Sequence, residues 1–256
     1  MGRVITSPKA RAEFAEDPSG FAAALGLDVD DANSLVAMSK DLTNLAPSFV
    51  LKRRRMLRGN ARRTMDLLGE RGNRLLTAYL VANPPRDRLQ DEMCDFMDYV
   101  VERTAAIAGR NPDGPLIADM ARYEALMVRA RQTPRPLGER LPDSSNLQGF
   151  DILAGLRMAP GAGLGHFGWD LRAVRRFDPA SITATPPDPC DLVIFQLPGS
   201  GQSRSIRLLP QAAIAVARIR DVPGTSAADA SAELDRPARV IDTLARLRAQ
   251  GALEWN

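Results

Sequence analysis

The spacing of the apolar residues changes once along the chain, and this change constrains the fold more than any other feature of the sequence. Up to residue 131, apolar side chains recur at three- and four-residue spacing, which predicts helices. Beyond residue 150, short alternating and continuous apolar runs predict strands, with further helices after them. The residues between, 132–149, contain three prolines and two glycines, a composition typical of a domain boundary. The sequence therefore predicts an α+β protein with an all-helical domain over 1–131, a linker over 132–149 and a second domain over 150–256.

The helical domain is predicted to contain several separate helices rather than one long one. Gly69 and Gly72 predict a break within a helical block over 49–82. Two more helices are predicted over 88–108 and 116–131, each with one apolar face.

The second domain is predicted to be winged-helix-like, with a three-stranded antiparallel sheet and three helices. Alternation at Phe167, Trp169 and Leu171 predicts the first strand. Two short apolar runs separated by a Pro-Gly-Ser-Gly turn predict a hairpin made of the other two strands. Three helical patterns follow, and the tail at 251–254 is compatible with a wing strand. The runs are 191–197 and 205–209 for the hairpin, then 210–221, 226–234 and 237–250 for the helices.

The residues that most often carry catalysis or bind metals are scarce. His166 is the single histidine, which excludes every site that needs two imidazoles. Cys94 and Cys190 are far apart in sequence, which excludes a CxxC metal site, and neither has an activating neighbour. We therefore expect no catalytic residue, no metal site and no cofactor in this chain.

The basic residues are nearly all arginines, and their densest group lies on one predicted helix. Only three of the 34 basic residues are lysines, and the net charge of +3 is too small to indicate nucleic-acid binding by itself. Two interpretations of this basic helix stay open, a solvated surface and a docking surface for an acidic partner. The docking candidates are Arg54, Arg55, Arg58 and Arg62.

The sequence contains neither an apolar run long enough for a transmembrane helix nor the apolar core of a secretory signal. We therefore expect a cytosolic protein that does not associate with a membrane.

A winged-helix-like domain commonly binds either DNA or a peptide, and the residues of the last predicted helix distinguish these two functions only in part. It can place a helix in a DNA groove, or it can add a peptide strand to the edge of its sheet. The start of the last helix, residues 236–240, offers no Asn, Gln or Ser for reading bases, which favours peptide capture. The peptide is expected to pair with an edge strand at Ser205, Ile206, Arg207, Leu208 and Leu209. The last helix is expected to form the facing pocket with Arg239, Val240, Thr243, Leu244, Arg246 and Leu247.

The order of several motifs resembles a known protein family. Residues 53–69, 75–85 and 116–131 resemble a helical domain, formerly assigned to DNA binding, of the partner proteins of multinuclear non-haem iron oxidases. These oxidases act in the biosynthesis of ribosomal peptide natural products, and the thiaglutamate-type partner is the most similar. Residues 191–222 and 229–253 are similar to the peptide-recognition element of the same pathways. One departure is that Arg53, Arg54 and Arg55 stand where the family has a Tyr before its R-x-x-x-x-N segment.

The resemblance implies a non-catalytic subunit of a heterodimeric complex. Such a subunit binds the leader of a precursor peptide and presents the cysteine-containing C-terminus of that peptide to the oxidase, which holds the iron. The main alternative is a transcription regulator that binds DNA through its winged helix. A small enzyme of another type fits the sparse catalytic residues least well.

Overall fold

The computed structural model describes residues 4, 8–106, 113–132, 149–172 and 186–256. The chain divides into two compact units, Met1–Val100 and Val101–Asn256. The predicted linker at 132–149 lies almost entirely outside the described residues. The helix predicted over 116–131 belongs to the second unit, although the sequence analysis assigned it to the helical domain. The architecture is α+β, with an N-terminal helical region followed by a mixed region that holds two small antiparallel sheets.

Short helices begin the first unit, and carboxylates at their N-termini explain where two of them start. Asp17 accepts a hydrogen bond from the Gly20 amide at 2.9 Å, and Asp28 accepts one from the Asp31 amide at 2.8 Å. Longer helices follow, and the last of them continues past the division between the units. The helices are α1 (Pro8–Glu16), α2 (Pro18–Ala24), α3 (Val29–Ala37), α4 (Ser39–Asn60), α5 (Arg62–Leu68), α6 (Glu70–Ala82) and α7 (Leu89–Ala105).

The breaks between α4, α5 and α6 correct part of the sequence prediction. Gly69 separates α5 from α6 with a φ of +55°, a conformation that favours glycine. A second break falls at Ala61, which no glycine or proline marks. Gly72 does not break a helix but lies inside α6, where a Cβ would come within 3.0 Å of Met65 Cε and 3.1 Å of Leu68 Cβ. The glycine there permits close packing of α5 on α6.

The second unit contains a helix, six strands and three further helices in the described ranges. One sheet has the order β2-β3-β4 and the other has the order β5-β1-β6, and all pairings are antiparallel. The elements are α8 (Gly114–Gln132), β1 (Gly155–Met158), β2 (Gly163–Phe167), β3 (Cys190–Gln196), β4 (Ser203–Leu208), α9 (Pro210–Asp221), β5 (Thr225–Ser226), α10 (Ala227–Ser231), α11 (Pro237–Ala249) and β6 (Leu253–Trp255).

Strand β3 is the centre of the second unit because it is buried on both faces. Val193 and Phe195 belong to an apolar core that includes residues of α9, α10 and α11. Leu192 and Ile194 alternate with them and face the opposite side, where α8 packs on β2, β3 and β4. Helix α8 therefore covers one face of this sheet, and α9 packs on the other, with α10 and α11 packed against α9 in the same core.

The hairpin and the last three helices form where the sequence predicts them. The predicted first strand does not form at its predicted position, and most of the sheet nearest the helices was not predicted. The chain leaves β2 at Phe167, so the alternation from Phe167 to Leu171 does not continue as a strand. Instead, the amide of Gly168 donates to Asp119 Oδ2 at 2.6 Å, which fixes a turn against α8. The sheet nearest the helices consists of β1, β5 and β6, of which only β6 was expected.

No helix in the described part of the chain combines the length and apolar character that crossing a membrane requires.

Candidate functional site

Strand β4 is an edge strand whose free side carries main-chain donors and acceptors. Among the described residues, β4 pairs only with β3. The amide of Leu197 donates to the carbonyl of Gln202 at 2.8 Å, so this pair is a hydrogen-bonded one. Hydrogen-bonded pairs alternate along an antiparallel ladder, and the register from 203 to 208 is regular. The main-chain groups of Ser203, Ser205 and Arg207 therefore point away from β3, toward the free side.

The side chains of β4 are engaged differently on its two faces. Ile206 and Leu208 pack into the apolar core below α9 and α11. On the α8 face, the Ser205 hydroxyl lies 3.1 Å from the Tyr123 hydroxyl. Arg207 donates to both carboxylate oxygens of Asp188, at 2.7 and 2.8 Å. The side chains of the edge are thus held in place, while alternate main-chain groups remain available.

A groove begins where β4 ends and continues between the first turns of α9 and α11. Its volume is about 510 Å³. Leu209, 70 % exposed, lies at its mouth, and Val240 provides a buried apolar wall. The full lining is Leu209, Pro210, Gln211, Ala212, Asp235, Arg236, Arg239, Val240 and Thr243. The groove combines apolar walls with a charged rim, a combination typical of ligand sites.

Two arginines on the rim of the groove make no ion pair with any described residue. Arg236 and Arg239 are both exposed and lie at the start of α11. Arg236 also has a φ of +56°, which is uncommon for a residue with a side chain. This conformation allows the chain to turn sharply into Pro237, the first residue of α11. The rim can therefore attract an acidic side chain, with Asp235 as the single acidic residue of the lining.

The structure brings together only part of the pocket that the sequence analysis proposed. Leu209, Arg239, Val240 and Thr243 all line the groove. Leu244 and Leu247 do not reach it, because they lie one and two turns farther along α11 than Val240, where they are buried in the core.

Arg246 is also absent from the groove lining, because it lies farther along α11 and pairs with Asp242 at 3.0 Å. Sequence reasoning missed Pro210, Gln211, Ala212, Asp235 and Arg236. The first three follow directly after the predicted strand, and this adjacency was the signal that could have identified them.

One residue of the predicted basic helix has a structural role inside the first unit. The side chain of Arg53 is 3 % exposed and forms an ion pair with Glu92, which is equally buried. Arg53 also donates to the carbonyls of Leu80 and Asn83, at 3.4 and 2.8 Å, and lies 6.0 Å from the centre of the Tyr79 ring. Arg53 thereby connects α4, α6 and α7, so the run of basic residues is not one solvated face.

The other arginines of this run remain at the surface. Arg54 donates to the hydroxyl of Thr77, and Arg58 donates to Asn73 Oδ1 at 3.2 Å. Arg62 lies 3.9 Å from Asp66. Arg55 is exposed and forms no ion pair within the described ranges. The four predicted docking residues are thus accessible, but the charge of one of them is already partly compensated.

A network of charges lies at the end of the β2-β3-β4 sheet. Asp170 accepts two hydrogen bonds from the guanidinium of Arg172 and one from its amide, which lowers the pKa of Asp170, and burial only partly opposes this effect. Arg207 likewise lowers the pKa of Asp188 through its hydrogen bonds. Burial raises the pKa of the nearby Cys190 thiol to about 11, so this thiol is protonated and unreactive near neutral pH. The network tethers the segment before β3 to the edge strand.

The remaining candidates for catalysis or metal binding do not assemble into a site. His166 Nδ1 lies 3.0 Å from Asp191 Oδ1 at the surface, without a nucleophile in the arrangement. Cys94 is buried on α7. No group of three or more His, Cys, Asp or Glu side chains with the spacing of a metal site occurs in the ranges described.

Compared with known proteins, the chain matches no protein-family model, and no curated protein is similar enough to count as a match. The geometry of β4 and of the groove therefore carries the functional conclusion.

Proposed function

We propose that this protein captures the leader of a precursor peptide as an added strand along β4. The observation that carries the proposal is the outward direction of the main-chain groups of Ser203, Ser205 and Arg207 on an edge strand that ends at a groove. Main-chain pairing provides affinity in strand addition, and pockets for alternate side chains provide selectivity. An apolar leader side chain enters the groove against Val240, and an acidic one meets Arg239 on the rim.

Three features of the arrangement around the groove support a winged-helix-like domain as the peptide-binding part of the protein. Helices α9, α10 and α11 pack together, and β6 pairs with β1 as a wing next to them. Strand β1 precedes the helices and occupies the centre of the small sheet. The sheet β2-β3-β4 then supplies the edge strand in front of α9, as peptide capture requires.

Within the proposed function, this chain is the non-catalytic subunit of a heterodimer with a multinuclear non-haem iron oxidase. The oxidase holds the iron and modifies the cysteine-containing C-terminus of the peptide. The support for this partnership is the resemblance of residues 53–69, 75–85 and 116–131 to the partner proteins of such oxidases, together with the accessible arginines of α4.

The alternative is a DNA-binding regulator that uses α11 as the recognition helix. Arg239 and Arg246 lie on this helix and Arg236 directly precedes it, which supports the alternative, but Asp235 and Asp242 lie among them along the chain. A phosphate backbone is repelled by such carboxylates, so peptide capture accounts better for this mixture of charges.

The test compares two substitutions at Ser205, of which only one removes the main-chain N–H. Ser205→Pro removes the outward N–H and the hydroxyl, whereas Ser205→Ala removes only the hydroxyl that contacts Tyr123. Leader affinity, measured by fluorescence anisotropy with a labelled precursor peptide, should fall at least tenfold in the proline variant and less than twofold in the alanine variant. Circular dichroism and thermal unfolding verify that both variants fold.

Equal affinities for the two folded variants would contradict strand addition on β4. Tight binding of duplex DNA with a steep salt dependence, together with no binding of leader, would favour the regulator instead.

A further inference from the structure

Arg54 and Arg58 of α4 reach across to α6 in the first unit. Arg55 of α4 and Arg74 of α6 are exposed on the same two helices, and we call these four residues the arginine seam. None of them forms an ion pair with a carboxylate of the described residues, whereas the neighbouring Arg62 lies near Asp66. The seam is therefore a concentration of positive charge that the unit itself does not neutralise.

Neutral acceptors hold two of these guanidinium groups in place. Arg54 donates to Thr77 Oγ1, and Arg58 donates to Asn73 Oδ1 at 3.2 Å. Thr77 is itself anchored, because its hydroxyl donates to the carbonyl of Asn73 at 2.8 Å. A guanidinium has five N–H donors, so one contact orients the group and leaves the others for an incoming carboxylate. Such preorganisation reduces the entropy lost when a partner binds.

Exposed apolar side chains lie at one end of the seam. Leu51 is 47 % exposed and lies one turn before Arg54 on α4. Val81 is 59 % exposed and lies one turn after Thr77 on α6. A surface with preorganised cations next to apolar side chains is typical of a protein interface.

We propose that the arginine seam binds an acidic amphipathic helix of a partner protein. Arg54 and Arg58 are four residues apart on α4, a distance of about 6 Å along the helix axis. Two carboxylates at the same spacing on the incoming helix match them, and an apolar side chain one turn further meets Leu51 and Val81. This inference rests on the proposed function in one respect, since it assigns the acidic helix to the iron oxidase.

The apolar end of the seam favours a protein over a nucleic acid as the occupant. Leu51 and Val81 gain from burial against apolar atoms, which a phosphate backbone does not offer. The net charge of +3 for the whole chain is also modest for a protein that binds nucleic acid.

The experiment measures association of the full chain with a multinuclear non-haem iron oxidase of the class proposed as its partner, by surface plasmon resonance at low and high salt. Arg58→Glu is compared with Arg88→Glu, which makes the same charge change at an exposed arginine outside the seam. Val81→Ala is compared with Val29→Ala, which shortens another exposed valine. Leader affinity is measured for every variant, because β4 and the groove lie in the other unit.

Arg58→Glu should slow association about tenfold at low salt and less at high salt, because charge complementarity acts mainly on the association rate. Val81→Ala should accelerate dissociation several-fold, since the apolar contact is made only in the bound state. The two control variants and all the leader affinities should stay within twofold of the parent chain.

Equal association rates for Arg58→Glu and Arg88→Glu would overturn the proposal. It would also be overturned if Arg58→Glu lost binding to random duplex DNA while its association with the oxidase was unchanged. If the parent chain binds leader but not the oxidase, both this inference and the assigned partnership fail, while leader capture by β4 stands.

Discussion

Two regions of this protein are rich in arginine, and they differ in where the arginine that pairs with a carboxylate lies, buried in one region and at the surface in the other. Around α4, the one arginine with a full set of partners, Arg53, is buried, while Arg54 and Arg58 rest on neutral acceptors at the surface. Around β4 and α11, Arg207 is neutralised by carboxylates at the surface, and Arg239 lies on the rim of a groove without an ion pair among the described residues. The same side chain thus stabilises the fold in one place and remains available for binding in another.

The difference lies in what surrounds each guanidinium rather than in the local sequence. Arg53, Arg54 and Arg55 are consecutive, but successive residues of a helix are 100° apart around its axis. One of them therefore points into the helical unit and the next two point out of it. This contrast predicts that neighbouring substitutions have very different consequences.

The largest effect is expected at the buried ion pair. Arg53→Ala leaves the Glu92 carboxylate buried without its partner, which should lower the free energy of unfolding by about 3–5 kcal/mol. Replacing both residues, as Arg53→Met with Glu92→Leu, should recover much of this loss because no charge remains buried. Urea denaturation of the three proteins measures the effect. A loss below about 1 kcal/mol in Arg53→Ala would mean that the pair behaves like a surface salt bridge.

A smaller effect, on leader affinity, is expected at the groove. There an arginine without an ion pair can be compared with a paired one on the same helix, α11. Arg239→Glu should weaken leader binding about fivefold to tenfold, because a free cation on the rim becomes an anion. Arg246→Glu should change leader affinity less than twofold, since Arg246 is already paired with Asp242 at 3.0 Å. Isothermal titration with the precursor peptide distinguishes the two outcomes. Equal losses for both variants would indicate a general charge effect rather than contact at the groove.

The smallest effect is expected in the charge network at the end of the sheet, and it depends on pH. Arg172 and Arg207 lower the pKa values of Asp170 and Asp188 in the folded protein. A lowered folded-state pKa stabilises the protein above the unfolded-state value of about 4, and this contribution is lost as the pH falls through the folded-state value.

The free energy of unfolding of the parent chain should therefore exceed that of Asp170→Asn by a constant amount between pH 7 and pH 5. The difference should shrink below a pH of about 4. Urea titrations across this range measure it, and a difference that grows on acidification would show that the ion pairs do not stabilise the fold.

Much of the fold follows from the sequence because its signals are local. The apolar spacing predicts helices over 88–108 and 116–131, and the structure has them at Leu89–Ala105 and Gly114–Gln132. The Pro-Gly-Ser-Gly turn predicts the β3-β4 hairpin, since the turn residues and the flanking apolar runs act over a few positions.

The missed features depend on distant contacts. Strands β1 and β5 are four and two residues long, too short for periodicity to indicate, and they form because β1 pairs with β5 on one side and with β6 on the other. The turn at Gly168 depends on Asp119, which is 49 positions away. The burial of Arg53 depends on Glu92 in another helix. No local pattern shows which polar residue finds a partner in the folded chain.

The candidate site was predictable to the same extent. The edge position of residues 205–208 follows from the order of the strands, and Arg239, Val240 and Thr243 follow from helical spacing. Leu244 and Leu247 share that spacing but face the core, because α9 and α10 cover that side of α11. The sequence could not show which residues of β4 direct their main-chain groups away from β3, because this depends on the observed register.

The central claim is that a leader peptide pairs with the free side of β4, and amide hydrogen exchange tests it most directly. In the free protein, the amides of Ser203, Ser205 and Arg207 should exchange rapidly, while those of Arg204 and Ile206 are protected by pairing with β3. Addition of saturating precursor peptide should slow exchange at Ser203, Ser205 and Arg207 at least tenfold, as measured by nuclear magnetic resonance, because those N–H groups then donate to the leader. A bound leader that leaves all three amides exchanging at their free rates would contradict the claim.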